Sequence, residues 1–368
     1  MKTVFLGFVG ILLIMVISGY VILKNSAVAG DTILKNSFVM DDIFFNNIAI
    51  NQNHGFKDRV TALAFNKNST MFAVGYESGK VDVFDGKSLK LAYGFFPSST
   101  RTDILNFSNN GNYLSTGGYF DGNTKIYDLT NGTLKFNINE SMGRETFTND
   151  GDFIYMADTG SFKVFDLKKE SFVGKTYECD GVITSIGKDK NENYLAVGMT
   201  GSIQIFEING FDPTVLKLVS TQKPYELQDW ITHVWFDKKD MSFIDTIFDS
   251  LFYHKSTTLI TISRFGHVDK WSVPELKKID SIHIVSTMVQ DALISEDGKY
   301  VIILGINENR RDGEYFVERI NLETKKSEII GQLSTNSSNI TSWFKKDGVE
   351  YAFVEHNGKK ELVKFSDK

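Results

Sequence analysis

A chain of 368 residues that is 42% hydrophobic and 13% aromatic has the material for a sizeable core, in one large domain or two average ones. Its formal net charge of -6 excludes the broad basic footprint that nucleic-acid binding requires, so nucleic acid is not an expected partner. The single cysteine, Cys179, excludes an internal disulfide and leaves too few thiolates for a structural zinc or iron–sulfur site.

At the amino end, Lys2 precedes an uncharged run from Thr3 to Leu23, closed by Lys24. About twenty residues rising about 1.5 Å each cross roughly 30 Å of hydrocarbon, so residues 1–30 read as an N-terminal apolar helix, either a membrane anchor or a signal peptide. Ala27-Val28-Ala29 forms a small-residue cleavage site, and both readings stay open. The basic amino end is expected to stay cytoplasmic. The remainder is then exported across the membrane or anchored in it, on the non-cytoplasmic side, with residues 3–23 in the bilayer if uncleaved. No cysteine lies near the end of the apolar run, which excludes lipoprotein processing.

From about residue 40 onward one phrase recurs at steps of about forty to sixty residues, the signature of a stacked or circular repeat. It consists of an apolar strand, a polar turn, a second apolar strand, another turn, and a third strand ending in an aromatic and an acid. Val60 to Asp85 matches Thr102 to Leu129 in this way, with Phe65 against Phe107, Gly75 against Gly117 and Phe84-Asp85 against Tyr127-Asp128. Anchored on Phe65, Phe107, Phe147, Lys188, Phe236, Ile294 and Phe344, seven segments fit. Asn110-Gly111, Asp150-Gly151, Asp297-Gly298 and Asp347-Gly348 follow four of the anchors as hairpin dipeptides.

These segments resemble the WD-repeat family of β-propellers, whose blades end in Trp-Asp. Here that place holds Phe84-Asp85, Tyr127-Asp128, Phe165-Asp166, Phe206-Glu207, Trp271-Ser272 and Ile320-Asn321, so the resemblance is to a divergent member. It covers roughly residues 40–368 and implies an all-β, seven-bladed β-propeller acting as a protein–protein interaction scaffold. A ring of four-stranded sheets protects edges that a lone blade exposes. The last segment supplies three strands, and Ile43 to Ile50 is expected to be the fourth, joining the chain ends.

Two stretches break the rhythm. Ile208 to Asp229 lengthens the link between segments four and five, and Lys238 to Ser256 enlarges the first turn of segment five; both read as surface loops. In the second, Phe243, Ile244, Ile247, Phe248, Leu251 and Phe252 share one face at helical spacing. That face either packs on its own ring or receives a partner. Asp245 and Asp249 disfavour an anionic lipid surface, so the expected partner is a protein of unspecified identity.

Catalytic and cofactor motifs are missing from the sequence. Gly86-Lys87-Ser88 and Gly174-Lys175-Thr176 lack the upstream glycine of a phosphate loop and read as turns, and neither a His-Glu-x-x-His helix nor a Gly-x-Ser-x-Gly elbow occurs. No catalytic residue, metal ligand or cofactor is assigned. One slot on the expected innermost strands holds Ala62, Ile104, Arg144, Ser185, His233, Asp291 and Thr341. Arg144, His233 and Asp291 make a candidate polar cluster in the channel, either solvated lining or a small-ligand pocket. The alternative function, a propeller enzyme of the hydrolase or quinone-dehydrogenase kind with a channel-mouth site, rests on that cluster. Arg59 and Arg101 precede the first strand of segments one and two, a rim position suited to carboxylate recognition or simply to solvent.

Overall fold

Short apolar runs separated by tight polar turns pair most readily with their sequence neighbours, and the described residues do so throughout, as twenty-seven antiparallel strands. The computed structural model describes residues 60–66, 70–86, 88, 90–98, 101–102, 104–118, 122–139, 141, 144–236, 257–294, 298–306, 315–333, 339–346, 349–356 and 359–365. The chain divides into Met1–Lys57 and Asp58–Lys368, and every described residue belongs to the second unit.

The first sheet is β1 to β4 (Val60–Phe65, Met71–Tyr76, Val81–Asp85, Leu91–Phe95) and the second is β5 to β8 (Ile104–Phe107, Tyr113–Gly117, Asn123–Asp128, Thr133–Asn139). The third is β9 to β12 (Arg144–Phe147, Phe153–Ala157, Ser161–Asp166, Ser171–Glu178) and the fourth is β13 to β16 (Ile183–Lys188, Tyr194–Met199, Ile203–Asn209, Asp212–Gln222). The fifth is β17 to β20 (Ile231–Phe236, Thr257–Ser263, His267–Val273, Lys278–His283) and the sixth is β21 to β24 (Met288–Ile294, Tyr300–Ile306, Tyr315–Asn321, Ser327–Leu333). The seventh has three strands, β25 to β27 (Asn339–Lys346, Val349–His356, Lys359–Phe365). First strands β1, β5, β9, β13, β17, β21 and β25 touch in that order, and β25 touches β1, so the sheets close in a circle. Ile43 to Ile50, the expected closing strand, lies outside the described residues, as do the amino-terminal run and Lys238 to Ser256.

All seven anchor residues lie at or near the end of a first strand. Gly111, Gly151 and Gly298 take φ of +74, +75 and +69, the left-handed conformation their hairpins require. The acid ending a third strand holds the next turn. Asp128 Oδ1 accepts from Thr130 N at 2.9 Å and Thr130 Oγ1 at 2.6 Å, and these bonds hold its carboxyl below the usual carboxylate range. Asp85 does the same for Ser88, and Asp166 for the Lys168 and Lys169 amides. The aromatic before the acid turns inward: Tyr127 stacks on Phe95 with centroids 4.0 Å apart, and Phe206 meets Phe162 edge-on at 5.0 Å. Trp271, at the same place in the fifth sheet, donates its indole N–H to Thr261 Oγ1 at 2.9 Å.

Core packing lies in the seams between sheets. Tyr155, Phe162 and Tyr177 of the third sheet interdigitate with Leu195, Val197 and Phe206 of the fourth. Comparable clusters fill the seams between sheets one and two, two and three, four and five, and five and six. Backbone bonds lace the same seams: Thr102 N donates to Tyr76 O at 3.1 Å, Ile183 N to Thr159 O at 2.8 Å and Val289 N to Arg264 O at 2.6 Å. The seam between sheets two and three also holds an acid. Glu145 Oε1 accepts from Ser115 Oγ at 2.7 Å and Asn106 Nδ2 at 3.3 Å, while Oε2 is buried without a partner. Burial pushes this carboxyl up from its ordinary value, opposed by the Ser115 and Asn106 bonds.

Three expectations need correction. Ile208 to Asp229 is not a loop insertion, because Asp212–Gln222 forms β16, the outer strand of the fourth sheet; only Lys223 to Trp230 remains as the link. Gly174 to Thr176 is not a turn between strands but lies inside β12, where Gly174 at φ +73 sits at an irregularity in the pairing with β11. Thr341 leaves the common slot: the bulge that falls one residue before Ser185, His233 and Asp291 falls on Thr341 itself in β25, between Ile340 and Ser342.

Candidate protein-docking surface

In a four-stranded meander the turn between strands two and three and the link leaving strand four lie at the same end of the sheet. Across the fourth, fifth and sixth sheets that end carries Asp180 to Val182, Thr200 to Ser202, Lys223 to Trp230, Arg264 to Gly266 and Ile284 to Thr287. Polar residues suffice for such connections. Here they carry exposed Leu227, Trp230, Phe265, Val182 and Val285, with Leu227 76% and Trp230 43% accessible.

The link and turns are held from beneath. Trp230 pairs with Thr200 as an isolated antiparallel bridge, and Thr200 N donates to Val182 O at 3.1 Å. Buried Asp229 accepts from Phe265 N at 2.8 Å through Oδ1, and its Oδ2 lies 3.6 Å from His267 Nε2. Tyr225 stacks on His267 at 5.1 Å and donates its hydroxyl to Asp269, which also takes Lys278 Nζ at 2.7 Å. Burial, reinforced by the Asp269 charge and the hydrogen bond to it, pushes the Tyr225 phenol far up, so it stays a donor.

Arg264 is fixed by its backbone on both sides, donating to Trp230 O at 2.7 Å and accepting from Val289 N at 2.6 Å. Its guanidinium carbon lies 4.9 Å from the centre of the Trp230 ring and 6.0 Å from that of Phe265. Among the described residues no carboxylate pairs with this guanidinium, and the Trp230 indole N–H has no acceptor. Gly266, at φ +85, closes the turn where a Cβ would come within 2.4 Å of Ser286 O. The result is a rigid aromatic and cationic surface.

The residues singled out from sequence fall elsewhere. Arg144 donates from Nη1 to Ile183 O at 3.1 Å, reaching from the third sheet to the fourth. Ser185 Oγ accepts from Val234 N at 3.1 Å in the next seam, and His233 stacks on Trp235 at 4.9 Å. Asp291 pairs with Leu304 through its backbone, and its side chain lies outside the described residues. Arg101 lies half-buried in the link from β4 to β5. Arg59, Phe243, Ile244, Ile247, Phe248, Leu251 and Phe252 lie outside the described residues. Sequence reasoning passed over Leu227, Trp230, Arg264 and Phe265, although large apolar residues inside a link and a three-residue turn were a readable signal.

The family described as "WD domain, G-beta repeat" matches residues 46–85, which end with the third strand of the first sheet. Those residues match the family, and the ring of sheets has the arrangement of a divergent WD-repeat-like β-propeller. Pre-mRNA-processing factor 19 of Dictyostelium discoideum is 37% identical to this chain over 76 residues, 20% of this chain and 14% of that protein. The aligned part is thus a small fraction of the relative. Among solved structures, the computationally designed Ika8 protein superposes with a TM-score of 0.56 over 82% of each chain at 16% identity, a likeness of fold alone. Among the described residues of the propeller, no three His, Cys, Asp or Glu side chains gather as a metal site.

Proposed function

We propose that this seven-bladed propeller is a protein–protein interaction scaffold, carried to or across a membrane by residues 3–23, with the ring on the non-cytoplasmic side. The observation that carries the scaffold reading is the pair of exposed rings, Trp230 and Phe265, against Arg264, with exposed Leu227 in the same link as Trp230, on a frame whose inner strands are all paired. Tryptophan and arginine in rigid settings are the residue types that dominate protein interfaces. The WD-repeat match over residues 46–85 supports the same reading. Export is supported by the uncharged run from Thr3 to Leu23 after Lys2. Among the described residues no helix is long and apolar enough to cross a membrane, and that run lies outside them.

The test is cross-linking and capture with the full chain in detergent, wild type beside Trp230→Ala with Phe265→Ala. A control variant, Phe172→Ala, changes an exposed residue on an outer strand. A partner held by wild type and control but lost by the double variant is the expected result. Equal capture by all three overturns the surface assignment. Protease added from the cytoplasmic side should leave the ring intact, and its digestion there would remove the export reading.

A further inference from the structure

The Arg264 guanidinium lies against two rings and has no carboxylate among the described residues. From this placement, and resting on the scaffold reading above, we infer that the surface takes a peptide segment whose Asp or Glu carboxylate pairs with Arg264 while an adjacent apolar side chain packs on Phe265. The ring contacts of Trp230 and Phe265 are made to the guanidinium carbon, and no described carboxylate takes its in-plane N–H donors. The fork then matches a carboxylate with two parallel bonds. Stacking and the backbone bonds to Trp230 and Val289 hold the side chain's root in place, which reduces the freedom lost on binding. The Trp230 indole N–H is a further donor beside it, suited to a peptide carbonyl.

Charge around the site selects a carboxylate over a phosphate. Lys223 lies 3.7 Å from Asp180, Lys278 is 2.7 Å from Asp269, and His267 is 3.6 Å from Asp229. Arg264 is therefore the cation of these connections without an acid, and Glu226 stands exposed in the same link. One cation beside an acid suits a single negative charge and disfavours a dianion. Exposed Leu227 and Phe265 reward an apolar neighbour of the acid, which free acetate or a plain acidic tract lacks.

The test uses the full chain in detergent against arrayed ten-residue peptides carrying Glu or Asp beside Leu or Phe. Matched arrays replace the acid with Gln or Asn, with phosphoserine, or the apolar neighbour with Ser. Wild type should favour the acid–apolar peptides by roughly ten- to a hundredfold over the amide forms. R264Q should erase that preference, and R264K, which keeps the charge but not the fork, should reduce it. Melting curves of both variants confirm folding. Equal binding of acid and amide peptides, stronger binding of phosphoserine peptides, or an unchanged preference in R264Q overturns the inference. Self-association of the chain through this surface, blocking all peptides, also overturns it. If the Trp230→Ala, Phe265→Ala variant loses its captured partner while no acid preference exists, the scaffold reading stands and this inference alone fails.

Discussion

Among the described residues neither Glu145 nor Arg264 has a counter-ion, and the fold treats the two oppositely. Glu145 lies in the seam between the second and third sheets, packed against Ile104–Phe107, Tyr113–Gly117 and Phe153–Ala157, none of which contains a charged residue. Arg264 lies half-buried in the turn at the end of the fifth sheet, with the Trp230 and Phe265 rings near its guanidinium. In the seam a proton is the cheapest partner, and burial drives the carboxyl toward its neutral form. At the surface a guanidinium cannot be neutralised at any ordinary pH, so it keeps its charge and remains available to a ligand. Burial, more than the lack of a partner, decides whether an isolated ion becomes a structural acid or a recognition group.

Reversing the charge in the seam breaks this contrast most severely. Glu145→Lys places an ammonium in a seam where the described side-chain partners are Ser115 and Asn106, and the expected loss is roughly 3 to 5 kcal/mol of stability, read by urea denaturation. A loss below about 1 kcal/mol would mean the seam opens to water and the contrast with Arg264 is lost. Next in size is Gly266→Ala. At φ +85, with Ser286 O at 2.4 Å from the new Cβ, the turn presenting Arg264 and Phe265 must shift at a cost of about 1 to 3 kcal/mol. Both melting temperature and peptide binding should fall, whereas a change in neither would show that the turn adapts without its glycine.

The pH dependence sharpens the seam side. A carboxyl whose native value is raised binds more protons in the folded state, so its contribution is full below the ordinary carboxylate value. It is lost as pH climbs through the raised one. Glu145→Gln keeps the shape and removes the titration. The variant should therefore gain on the wild type as pH increases across that interval, by about 1.4 kcal/mol for each unit of displacement. Parallel stability curves for the two proteins from acid to neutral pH would show that Glu145 keeps an ordinary value.

Much of this frame was legible in sequence because the inner strands are apolar and their hairpins carry Asn-Gly and Asp-Gly. Ile154, Tyr155 and Met156 are buried on both faces of β10, and such runs announce themselves. The outer strands were not legible, because they bury little. Thr133–Asn139 covers only Phe136 and Ile138, and Asp212–Gln222 buries only Leu216, so its eleven residues read as an insertion. In the slot of Arg144 and Ser185, the bonds that cross to the neighbouring sheets leave no mark in sequence. Whether a polar group faces a channel or ties two sheets depends on the neighbouring sheet, which no local pattern reports. Thr341 slipped for a related reason, since a bulge moved by one residue leaves no mark in composition.

The smallest expected effect on stability is at the surface itself. Arg264→Gln removes the ring contacts to Trp230 and Phe265 but leaves the backbone bonds that fix the turn, because the Arg264 amide and carbonyl make them. Cation–ring contacts at exposed sites contribute about 0.5 to 1 kcal/mol, so the denaturation midpoint should move by no more than that. The same substitution is expected to remove the preference for acidic peptides. A large loss of stability would place Arg264 with Glu145 as a group that holds the ring together, and its missing acid would then concern folding and not recognition.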